Sequence, residues 1–160
     1  MQEPAGEHLN IPTNRVVAHF LDGRVVKGTT QDFFPNRPIF RIRPTGAGKE
    51  TEIECRQLKA VFFVKDLAGD ENRKDIRGFV DGPGETPKGK KIAVRFKDGE
   101  FLCGYTLSYS SERVGFFLFP SDPGSNNLRV YVMVYAAADI RAGAQADAMA
   151  QKVLDEGRAA

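Results

Sequence analysis

Arg73 and Arg77, in the run RKDIR, and Arg41 and Arg43, in FRIR, are the pairs in this chain best suited to chemistry. A guanidinium presents a planar fork of donors that matches a phosphate, so closely spaced arginines suit an anion or a nucleotide. Arg37 lies near the second pair, and Ser108 and Ser110 offer hydroxyls that could complete such a site. Alternation along a strand puts Arg41 and Arg43 on one face and Phe40 and Ile42 on the other, which makes a basic stripe. The matching run further on, GFFLFP, has Phe117 and Phe119 where the arginines stood. A strand apolar on both sides needs cover on both sides, so Phe117 and Phe119 are expected to meet another part of the chain or a protein partner.

Catalysis has little to work with. The histidines are His8, in the polar first residues, and His19, in a strand-like run, and neither has a Ser or Cys partner in view. His19 falls in register with Arg95, beside an apolar face made by Ile92, Val94 and Phe96, and is expected to point outward. Glu50, Glu52 and Glu54 alternate along one strand face, which reads as solvated carboxylates rather than a metal site. Cys55 and Cys103 stand singly, without metal-ligand spacing, and are expected to be buried thiols. GAGKE lacks the spacing of a phosphate-binding loop. The expectation is a non-enzyme without cofactor or metal.

The elements that must position these residues are written twice. Shifted by 76 residues, Phe20, Asp22, Gly23, Gly28, Thr30, Arg37, Phe40 and Pro44 fall on Phe96, Asp98, Gly99, Gly104, Thr106, Arg113, Phe116 and Pro120. Each copy opens with alternating strand residues broken at Asp-Gly, the mark of a hairpin with a type I′ turn. Gly28 and Gly104 inside the second strands mark a bend that lets a sheet curl. PIFRIRP and VGFFLFP read as third strands; TEIECRQLKAVFFVKD and LRVYVMVYAAADIR are each long enough for a fourth strand, a short turn and a fifth.

The fold expected is therefore mainly β: two tandem five-stranded small β-barrels, at residues 15–65 and 90–141. Residues 1–14 form a flexible start and 66–89 an acidic linker rich in Gly and Pro. In residues 142–160, Ala146, Met149 and Val153 share one face of a short helix that Gly157 could cap; the segment reads equally as a frayed tail. Residues 15–65 and 88–141 have an excess of Lys and Arg, and 66–87 an excess of Asp and Glu.

VVAHFLDGRVVKGTTQDF resembles the first motif of Sm proteins at Asp22, Gly23, Arg24, Val26 and Gly28, which implies an Sm-like or SH3-like barrel and RNA as a partner. Over residues 15–141 the chain also resembles a bacterial domain family of unknown function, through its DG…G.T, GFFLFP and LKAVFFV blocks. The RxxxR spacing of Arg73 and Arg77 is similar to that of PilZ domains, which implies cyclic di-GMP as a ligand, with Ser108 and Ser110 in its second motif.

Two function classes follow. The first is a non-catalytic regulatory or protein-interaction module using Phe117, Phe119 and the loop SDPGSNN. The second binds RNA or a cyclic dinucleotide through Arg37, Arg41, Arg43, Arg73 and Arg77. A pI near 8.6 is mild beside strongly basic nucleic-acid binders and favours the first. No apolar run long enough for a membrane span exists and the first residues are polar, so a cytoplasmic location is expected.

Overall fold

The computed structural model describes residues 12–46, 48–69, 78–79, 85–86 and 89–159. Strands β1 (Asn14–Phe20) and β2 (Val25–Thr30) flank the first Asp-Gly, and β7 (Gly89–Phe96) and β8 (Phe101–Thr106) flank the second. Neither turn is type I′. Only the glycines have positive φ, +95° at Gly23 and +97° at Gly99. The Gly23 N–H donates to the Phe20 carbonyl and the Phe20 N–H to the Arg24 carbonyl, with Gly99, Phe96 and Glu100 repeating the pattern. Each loop is thus a type I turn closed by a left-handed glycine.

The remaining elements are β3 (Ile39–Pro44), β4 (Thr51–Glu54), β5 (Leu58–Val64), β6 (Glu85–Thr86), β9 (Gly115–Pro120), β10 (Asn127–Met133), β11 (Ala137–Ala142) and helix α1 (Ala144–Ala159). One-turn 3₁₀ helices, Cys55–Gln57 and Val134–Ala136, link β4 to β5 and β10 to β11. The internal repeat persists in the hydrogen bonds. Thr30 Oγ1 donates to the Arg41 carbonyl at 2.7 Å and Thr106 Oγ1 to the Phe117 carbonyl at 2.8 Å. Leu21 N–H meets the Gln57 carbonyl as Lys97 N–H meets that of Ala136.

Strand pairing corrects the expectation of two separate barrels. The strands form one open antiparallel sheet, in the order β11-β7-β8-β9-β10-β5-β1-β2-β3-β4, with β6 added beside β7. Each half runs fifth, first, second, third, fourth. The outer edge of β5 pairs with β10 of the other half rather than folding back on β4.

The seam explains why β5, LKAVFFV, is apolar without alternation and buried at every position. Across β1, β5, β10 and β9, Ala18, Val61, Tyr131 and Phe117 stand abreast on one face, and Val17, Phe62, Val130 and Leu118 on the other. One continuous core joins both halves, with Phe40, Phe96, Phe116, Ile42, Ile53 and Leu118 almost fully enclosed.

Lys59, in β5, is buried and its ammonium pairs with Asp98 at 2.7 Å and with Glu100 at the second turn, while lying 4.6 Å from the Phe96 ring centroid. His19 points away from the enclosed Val16, Ala18 and Phe20 and is half-buried in a surface groove with Val25 and Lys27. It packs on Phe62 at the seam, ring centroids 4.6 Å apart, and burial lowers its pKa. Helix α1 covers the other face of β7: Ala146 and Ala150 pack on Ala93 and Cys103, and Val153 is buried. Asp147 pairs with Lys91 at 2.9 Å and Glu156 with Arg95 at 3.4 Å. Gly157 lies inside the helix rather than capping it.

Three substitutions test this arrangement. A β-carbon on Gly104 would stand 2.1 Å from the Phe119 carbonyl oxygen, where β8 bends against β9. Gly104→Ala should cost about 1–3 kcal/mol in urea unfolding through overpacking. Gly157→Ala, with nothing within 4 Å, should be neutral or stabilising. The Lys59 hydrogen bond holds the Asp98 carboxyl below its ordinary range, so this pair stabilises the fold at neutral pH and the contribution is lost as pH falls below about 4. Lys59→Met should lower stability at pH 7 by about 1–2 kcal/mol, discounted because both carboxylates are partly exposed. It should also flatten the acid limb of a stability-versus-pH curve followed by circular dichroism.

Candidate functional site: an apolar cleft at the seam

The seam sets the loop before β3 beside β10 and the second 3₁₀ helix. Between them lies a cleft of about 390 Å³, lined chiefly by Phe33, Pro38, Val114, Tyr131, Met133 and Tyr135, with Arg37, Cys55 and Arg56 at its border. Phe33 ties its floor to the core, with ring centroids 5.0 Å from Phe40, 5.6 Å from Phe63 and 5.3 Å from Tyr131. Gly115 admits the Tyr131 ring, since a β-carbon there would lie 2.5 Å from it. The Tyr135 hydroxyl lies 2.8 Å from the carbonyl oxygens of both Cys55 and Leu58, pinning one half of the wall to the other.

Apolar surface gathers here. Val114 is 67% exposed, and Tyr135 and the flanking Phe34 and Ile39 are also open to solvent. Burial raises the Cys55 thiol to about 11 and the Tyr135 hydroxyl to about 12. Cys55 is half-buried rather than fully enclosed, and Cys103 is buried against α1. Among the described residues no cluster of His, Cys, Asp and Glu could hold a metal ion.

Family comparison adds a boundary but no chemistry. A model of a family of unknown function, DUF6982, matches residues 12–143. The chain belongs to this family. The match takes in every element from β1 to β11 and stops before α1. No curated protein and no solved structure gives a significant match to this DUF6982 member. No helix among the described residues is long and apolar enough to cross a membrane.

The residues singled out from the sequence are dispersed. Arg41 pairs with Asp32 at 3.3 Å and Glu52 at 4.0 Å, and Arg43 with Glu50 at 3.4 Å, so the stripe is matched by carboxylates. Those groups border a polar groove with Thr13, Thr29 and Gln31. Arg37 stacks over Phe34 at 4.6 Å and reaches the cleft. Ser108 Oγ accepts from the Phe117 N–H at 3.2 Å and Ser110 Oγ from the Glu112 N–H at 3.3 Å; both shape the β8–β9 loop. Arg73 and Arg77 lie outside the described residues. In SDPGSNN, Asp122 and Ser125 are buried, and the Asn126 amide bonds the Asp66 carbonyl at 2.8 Å.

Phe117 is half-buried within the chain. It meets Tyr131 at 4.9 Å and Phe63 at 6.0 Å, and the Arg129 guanidinium lies 4.8 Å from its ring centroid. Phe119 is also half-buried. The lost alternation in GFFLFP thus marks the seam, which lies next to the cleft. Phe33, Val114, Tyr131 and Tyr135, which build the cleft, have no motif of their own; the one local signal is the exposed valine before Gly115. Phe117→Arg should lower stability by about 2 kcal/mol, near the burial value of a phenylalanine, as read from the urea midpoint. Loss of binding with unchanged stability would contradict this placement.

Proposed function

We propose that this protein is a non-catalytic protein-binding module that docks a partner at the cleft between its two halves. The observation that supports the reading most is the apolar cleft at the seam, whose wall presents Val114, 67% exposed, and the exposed ring of Tyr135. Soluble proteins seldom leave such a patch without use, and fixed aromatic rings beside arginine are the composition typical of interface centres. An enzyme reading draws no support from the cleft, whose thiol and phenol stay protonated at neutral pH.

The reading as an RNA or cyclic dinucleotide binder draws less support. Arg41 and Arg43 already have carboxylate partners, and a phosphate would have to displace them. Ser108 and Ser110 are engaged with backbone groups.

Pull-down with the intact protein and with Val114→Glu, each with and without nuclease, tests the choice. Partners that survive nuclease and vanish with Val114→Glu, at unchanged melting temperature, are the expected result. Capture that nuclease abolishes and Val114→Glu leaves intact would replace this reading with the RNA one.

A further inference from the structure

The cleft lining contains two basic residues, Arg37 and Arg56, and no acidic one. The Arg37 guanidinium lies over the Phe34 ring and has no ion pair among the described residues. Arg56 alone is matched, by Glu54 at 3.2 Å, and its side chain is 81% exposed. So exposed a pair is weak and easily exchanged for another carboxylate. An apolar floor with guanidinium groups at its border selects ligands that are apolar at the centre and anionic at the flanks.

We infer that the cleft binds an extended segment of a partner protein in which an aromatic or leucine side chain is flanked by carboxylates, an inference that rests on the protein-binding reading above. The apolar side chain enters between Phe33, Pro38, Tyr131 and Met133, and the flanking carboxylates meet Arg37 and Arg56. The openness of the site favours a protein segment over a small molecule. Small-molecule sites enclose most of their ligand, whereas Val114 in this wall stands 67% exposed, so the occupant must bring its own cover. Stacked nucleobases are disfavoured because the Phe34 ring already faces the Arg37 guanidinium.

Fluorescence anisotropy on the full chain tests the inference with two labelled peptides. One has adjacent leucine and phenylalanine flanked by glutamates; its twin has lysines in place of the glutamates. The acidic peptide should bind and the lysine twin should not. Arg37→Glu with Arg56→Glu, both at exposed positions, should weaken the acidic peptide by about tenfold or more without shifting the melting temperature. Equal binding of the two peptides would overturn the charge selection and leave the protein-binding reading standing. Acidic-peptide binding that the double variant does not weaken would overturn the assignment of these arginines. Binding by neither peptide would overturn the inference, and the nuclease-treated pull-down would then decide the broader reading independently.

Discussion

The pairing of β5 with β10 is the constraint on which the rest of the structure depends. It uses one outer edge from each repeat, so two β-rich halves become one sheet, with β5 buried throughout and β10 buried over Val130–Met133. A strand in that position cannot alternate, and β5 does not: Val61 and Phe63 share a face with Ala18 and Val16 of β1, while Ala60 and Phe62 serve the opposite one. Exposed backbone edges invite aggregation, and the seam removes two of them.

Divergence between the copies follows from their unequal positions relative to this seam. The second turn meets Lys59 from the first half and presents Asp98 and Glu100 to it. The first turn has no such neighbour, and Asp22 pairs instead with Arg24, at 2.9 Å. Position 24 is therefore basic where its counterpart, Glu100, is acidic. The third strands show the same logic. β9 faces the first half across Tyr131 and Phe63, so Phe117 is apolar. β3 lies toward the other end of the sheet, where Arg41 and Arg43 meet the carboxylates of Glu52 and Glu50.

What was legible in the sequence was whatever is encoded locally. The Asp-Gly hairpins, the bending glycines, the third strands ending at Pro44 and Pro120, and the five-strand count of each half come from residues close together in the chain. The turn type was misread because a dipeptide gives the need for positive φ but not the number of residues sharing it; only Gly23 and Gly99 take that conformation. The seam was not legible because it joins strands distant in sequence. Its trace was the pair of phenylalanines in β9, Phe117 and Phe119, which call for cover on that face without naming what supplies it. The outward direction of His19 is legible from the strand register, but its partial cover by Phe62 of the seam is not. The cleft was the least legible feature, since its two walls are brought together only by the seam.

That dependence bears on function. Strand addition sets equivalent elements of the two repeats side by side, and the cleft is built from such equivalents: Pro38 beside Val114 from the loops before the third strands, and Arg56 beside Tyr135 from the 3₁₀ helices. Neither repeat alone has both walls. The chemical contrast between the pairs, ring against branched side chain and guanidinium against phenol, makes the site asymmetric although the backbone around it is repeated. The lining itself is oriented, with the Arg37 and Arg56 guanidinium groups from the first repeat and the Tyr135 ring from the second. A cleft of this kind belongs to the duplicated chain as a whole, because separating β5 from β10 would part its two walls.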